Sequence, residues 1–68
     1  MKEGKEIMYE ILFHDGHTEI VDRETAGDIA YAAYCCDRTD ISQVHYIKKD
    51  GSLGRTVFTD EEGFIGKF

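Results

Sequence analysis

The chain has 68 residues and a formal charge of −6, with two cysteines and neither proline nor tryptophan. That length admits one domain and a core drawn from most of the aliphatic and aromatic side chains, and the acidic balance argues against broad binding to nucleic acid or anionic membranes. Cys35 and Cys36 are adjacent, with Cα atoms about 3.8 Å apart, too close for an unstrained disulfide, so they read as reduced thiols that staple nothing.

Residues 1 to 5 carry no pattern and are expected to fray. A first strand is expected from about Glu6 to His14. Asp15-Gly16 suits the centre of a two-residue hairpin turn, which sets His14 opposite His17, Phe13 opposite Thr18 and Ile11 opposite Ile20. Ile7, Tyr9, Ile11, Phe13 and Ile20 then share the core face. Met8, Glu10, Leu12, His14, His17, Glu19 and Val21 take the other, a mixed face that is either partly covered or a contact surface.

Asp22 is a good helix N-cap with Glu24 in the first turn, and Thr25 followed by Asp28 is a rival start. Helical spacing puts Ala26, Ile29, Ala30, Ala33 and Cys36 on the face toward the sheet, with Gly27, Tyr31 and Tyr34 pointing outward. The helix is expected to end near Asp37 or Arg38 without a glycine cap. Two further strands follow, roughly Ile41 to Lys48 and Leu53 to Phe58, joined across Asp50-Gly51. A two-residue turn there pairs Lys49 with Ser52 and Val44 with Val57; a three-residue turn with a glycine bulge pairs Lys48 with Ser52 and Ile47 with Leu53. The first is preferred. In the tail, Thr59 and Glu62 stand at capping-box spacing, Gly63 and Gly66 oppose a long helix, and Phe64, Ile65 and Phe68 are apolar enough to dock.

The expected architecture is α+β, a ββαββ domain over residues 1 to 68 with one helix on a four-stranded sheet. Its ordered part is about 6 to 59, with a less ordered N-terminus and tail. In element order over about residues 7 to 59 the chain resembles a β-grasp domain, in particular the small bacterial immunoglobulin-binding domains. The resemblance implies that the first and fourth strands run parallel in the sheet centre. No binding motif is shared, so immunoglobulin binding is not implied. A fully antiparallel sheet is the competing arrangement.

Chemistry-bearing residues are sparse. His14, His17 and Glu19 would line one side of a two-residue hairpin at zinc-ligand spacing, but an exposed tip without supporting groups reads equally well as a solvated turn, and no metal or other cofactor is assigned. Cys35 and Cys36 lack Cys-x-x-Cys spacing and lie toward the C-terminal end of the helix, where the dipole disfavours a thiolate; Cys36 reads as a core residue. No nucleophile, base and oxyanion donors can be assembled, so no enzymatic activity is expected.

Charge is uneven: residues 1 to 40 hold ten acids against four bases, while residues 41 to 59 hold Asp50 against Lys48, Lys49 and Arg55. The latter hairpin, with Tyr46, Lys48, Lys49 and Arg55, has the right residue types for a weak nucleic-acid or phosphate contact, although lysines near a turn also protect a strand edge. Tyr31, Tyr34 and Gly27 are the candidate surface for a protein partner or for self-association. The leading expectation is a non-enzymatic interaction module. The alternatives are the weak nucleic-acid contact and an acidic surface of residues 1 to 40 that mimics nucleic acid to inhibit a basic partner. No signal peptide, membrane-length apolar run or lipidation motif is visible, and with reduced thiols this points to the cytoplasm and away from membranes.

Overall fold

In a computed structural model, residues 7–68 are described. The expectations for residues 1 to 5, and for a strand start at Glu6, lie outside them. The elements in chain order are β1 (Met8–Phe13), β2 (Thr18–Asp22), α1 (Arg23–Tyr34), β3 (Ile41–Ile47), β4 (Leu53–Thr59) and β5 (Gly63–Phe64). The class is α+β, with one helix on a five-stranded sheet of order β2-β1-β3-β4-β5 in which every neighbouring pair is antiparallel.

This corrects the four-stranded layout and the β-grasp topology. β1 is flanked by β2 and β3, and β4 lies beyond β3 between it and β5. The reason lies in the strands themselves. β1 alternates half-buried and buried residues without interruption, as a central strand must, whereas β4 carries Gly54, an exposed Arg55 and two register breaks against β3. Twelve helical residues rise about 18 Å, close to the length of a strand, so α1 returns the chain across β1 and β3 runs beside β1 on the side away from β2.

Both hairpins use the same three-residue loop with a glycine bulge. At the first, Gly16 N donates to Phe13 O (3.0 Å) and Phe13 N donates to His17 O (2.9 Å); at the second, Gly51 N donates to Lys48 O (2.9 Å) and Lys48 N to Ser52 O (2.8 Å). Only the glycines, at φ 98° and 93°, enter the left-handed region. This turn needs one residue at positive φ where the two-residue turn needs two, and the aspartates gain a further bond by staying out of it. Asp15 Oδ1 accepts from His17 N at 3.0 Å, and Asp50 Oδ1 accepts from Ser52 N at 2.9 Å and from Ser52 Oγ at 2.7 Å.

The extra loop residue shifts the first hairpin by one. Ile11 pairs with Glu19 and Glu10 with Ile20, so Val21 joins the helix side of the sheet and Ile20 turns to the other face, 54% exposed. Ile7, expected in the core, is 40% exposed. In the second hairpin Ile47 pairs with Leu53, as the bulged alternative has it and against the preferred two-residue turn. Register breaks beyond that pair set both Gly54 and Arg55 against Tyr46, and let Val57 and Phe58 both be buried.

Asp22 caps the helix, its Oδ1 accepting from Thr25 N at 2.8 Å. The helix ends at Tyr34, earlier than expected. Cys36 N donates to Ala33 O (3.1 Å) and Asp37 N to Ala32 O (2.9 Å), a Schellman closure with Cys36 at φ 67° in the position glycine usually fills. Cys36 is therefore exposed and not part of the core. The core consists of Tyr9, Ile11, Phe13, Ala26, Ala30, Ile41, Val44, Val57 and Phe58. The two alanines bring the helix axis close to the sheet, so the sheet side chains supply the bulk.

The tail adds to this core. Thr59 Oγ1 accepts from Glu62 N at 3.0 Å, Gly63 turns at φ 76°, and β5 pairs with the end of β4. Phe64 then meets Phe58 with ring centroids 5.4 Å apart, and Phe68 meets Tyr9 at 5.1 Å.

Candidate functional site

Gly27, Tyr31 and Tyr34 occupy one stripe of α1. Tyr31 and Tyr34 are 62% and 59% exposed. Tyr31 stands one turn before Cys35, and the neighbouring Cys35 side chain holds the phenol's pKa above the ordinary value. Tyr34 packs its ring against Phe64 at 5.4 Å, and Phe64 remains 42% exposed. A Cβ at Gly63 would come within 3.3 Å of the Tyr34 ring, so the bare backbone there is what lets the tyrosine lie down against the β4–β5 turn. Beside it a cleft of about 270 Å³ is walled by Ala33, Phe58 and the turn acids Asp60, Glu61 and Glu62. Helical spacing marked the two tyrosines as outward-facing, whereas nothing local tells which element the apolar Phe64 will meet.

A Cβ at Gly27 would meet nothing within 4 Å, so no neighbouring element of this chain requires the glycine.

Part of the basic hairpin is engaged within the chain. Arg55 lies over the Tyr46 ring, its Cζ 5.2 Å from the centroid, and its Nη2 donates to Lys67 O at 3.0 Å. Arg55 thereby holds the tail. Tyr46 also packs edge-on against Tyr9 at 5.8 Å. Lys48 and Lys49 are exposed at the hairpin tip before Asp50, whose carboxyl is held below its usual pKa by the Ser52 hydroxyl and amide and by Lys48.

His14 and His17 do not face one another, because the three-residue loop separates them. His14 Nε2 reaches Asp60 Oδ2 at 2.9 Å and ties the first hairpin to the β4–β5 turn. His17 stacks on Phe13, with ring centroids 4.1 Å apart and planes within 8°, while its Nδ1 meets Asp15 Oδ1 at 2.5 Å and its Nε2 lies 3.6 Å from Glu19 Oε2. The Asp15 contact, the largest cause, raises the His17 pKa, and the His17 amide is the main cause that lowers that of Asp15. Among the described residues no group of three or more His, Cys, Asp or Glu side chains is arranged to hold a metal ion.

Two further depressions adjoin this hairpin. One, of about 480 Å³, is bordered by Phe13, His17, Glu19, Ile29, Arg38 and Asp40. Its polar groups answer one another: Arg38 makes a two-pronged bond to Asp40 (3.2 and 2.8 Å) and sits 6.0 Å from the Phe13 ring centroid. The other, of about 230 Å³, brings His14, Asp60 and Cys36 to common walls. His14 engages Asp60 there.

No protein-family model matches the chain, and no curated protein or solved structure is significantly similar to it. Among the described residues no helix is long and apolar enough to cross a membrane.

Proposed function

We propose that this chain is a non-enzymatic protein-interaction module that docks a protein partner through Tyr31, Tyr34 and Phe64. The observation that carries the reading is the joining of two exposed helix tyrosines to an exposed tail phenylalanine in one aromatic ridge. Tyrosine and phenylalanine give large contact area for little lost side-chain entropy, and such residues concentrate binding energy at interfaces. The ridge is rigid, since Tyr34 rests on Gly63 and Phe64 rests on Phe58. The cytoplasm suits it, as the compartment in which adjacent thiols stay reduced.

The nucleic-acid alternative draws less support, because Arg55 is engaged with Tyr46 and with the tail. The mimicry alternative, on the acidic surface of residues 1 to 40, differs in one measurable respect: its partner would be lost in salt. The test is capture from native lysate with the tagged chain beside its Tyr31→Ser/Tyr34→Ser variant at low and high salt. A partner held by the parent chain at both salts and lost by the folded variant is expected. Equal capture by parent and variant would refute the ridge.

A further inference from the structure

Residues 63 to 68 lie against the sheet as a strap, and none of them is itself buried, although they pack on side chains that are. β5 is an edge strand of two residues, with Gly63 opposite Thr59 and Phe64 opposite Phe58. Beyond it, Ile65 N donates to Val57 O at 3.0 Å, and Lys67 O accepts from Arg55 Nη2 at 3.0 Å. A Cβ at Gly66 would stand 3.3 Å from Thr56 O and from Val57 Cα, so the bare backbone there is what lets the strap lie flat on β4.

A segment with so short a pairing and so little buried surface opens at a lower free energy than the core beneath it. Its aromatic contacts are interlocked. Phe68 packs on the buried Tyr9 and on Phe64, the latter with ring centroids 5.9 Å apart, and Phe64 in turn packs on Phe58 and on Tyr34. Phe68 thus reaches the ridge through Phe64, and freeing it loosens the ring against which Tyr34 lies.

We propose that residues 63 to 68 open as one unit while the rest of the sheet stays folded, and that this opening takes the aromatic ridge apart. Phe68 and Arg55 are then positioning residues for the ridge, acting from the far end of the strap, and the ridge is rigid only while the strap is docked. The regulatory consequence rests on the ridge as the docking surface. A partner that grips Tyr34 and Phe64 together binds the docked state alone, so its apparent affinity falls with the docked fraction, and its binding in turn holds the strap down.

The test is amide hydrogen exchange by NMR on the full chain without a partner, over a range of low urea concentrations, with circular dichroism confirming that each variant folds. In the parent the Ile65 amide is expected to exchange at least about tenfold faster than that of Ile11 in β1, and with a shallower dependence on urea. Arg55→Gln/Phe68→Ala, which removes both far anchors, is expected to strip the Ile65 amide of its protection. The Tyr34 ring signals should then move to their positions in a Phe64→Ala protein while those of Tyr31 stay. Gly66→Ala, which crowds the strap off β4 and leaves both anchors, is expected to speed Ile65 exchange as well. An Ile65 amide with the rate and urea slope of Ile11 overturns the proposal, since the strap then opens only with the whole fold. So does protection of Ile65 that survives loss of both anchors, or a strap that opens with the Tyr34 signals unmoved. These readouts need no partner, so a strap that behaves as expected beside a Tyr31→Ser/Tyr34→Ser variant that captures as well as the parent refutes the ridge as a docking surface and leaves the strap standing.

Discussion

Cys36 shows how one residue can hold a structure together at a cost. It occupies the left-handed position of the helix closure at φ 67°, where a side chain is disfavoured and glycine is not. Cys36→Gly is expected to stabilise the fold by about 1 kcal/mol, read as a higher urea midpoint at unchanged slope. A lower midpoint would mean that the side chain contributes contacts outweighing the strain. The aspartates Asp15, Asp22, Asp40 and Asp50 make the acid side of a pH profile. Each is held below the usual value of 3.8, led respectively by the His17 amide, the Thr25 side chain, the Arg38 guanidinium and the Ser52 hydroxyl. Their contributions are present above 3.8 and are lost as pH falls through the folded values. His17 has the opposite sign: raised above 6.5 chiefly by the Asp15 carboxylate, it stabilises below that pH and stops doing so as pH rises through its folded pKa. These contributions should combine to a thermal midpoint highest between about pH 4 and pH 6.5, and Asp15→Asn should flatten the alkaline limb. An alkaline limb unchanged in that variant would remove His17 as its cause.

At the scale of elements, the hairpins and the helix start were legible and the registers were not. Asp-Gly between apolar alternations marks a turn wherever it occurs, and Asp22 before a run of helix formers marks an N-cap, so both follow from local chemistry. The loop length depends on whether aspartate takes positive φ or instead caps the amide two residues on, and that single residue of difference moved Ile20 from the core face to the open one. Strand order is set by which strands bury both flanks, a property of the assembled sheet. Gly54 shows the same dependence on assembly. An added Cβ would stand 2.8 Å from Tyr46 Cδ2 and 3.2 Å from Tyr46 O, so Gly54→Ala should displace the ring that Arg55 covers, costing about 1–3 kcal/mol. Gly27→Ala, in open space within the helix, should instead gain about 0.5–1 kcal/mol. Urea denaturation of the two variants separates the cases; equal effects would contradict this reading of both sites.

At the scale of the whole molecule, the tail completes what the sheet and helix leave unfinished. Phe68 packs on Tyr9, Arg55 holds the Lys67 carbonyl, and Phe64 extends the tyrosine stripe into a ridge. The two tyrosines were readable as outward-facing; their aromatic neighbour was not, because it arrives from thirty residues further along the chain. The molecule thus presents two separate surfaces, an aromatic ridge beside the helix end and an open sheet face on the other side. The most direct measurement is photo-cross-linking in cells with a photoreactive phenylalanine introduced in place of Tyr31. The account predicts an adduct with a distinct protein from that position. Position 31 yielding only self-adducts, or no adduct beyond that formed from an exposed control position such as Lys49, would contradict the ridge as a docking surface.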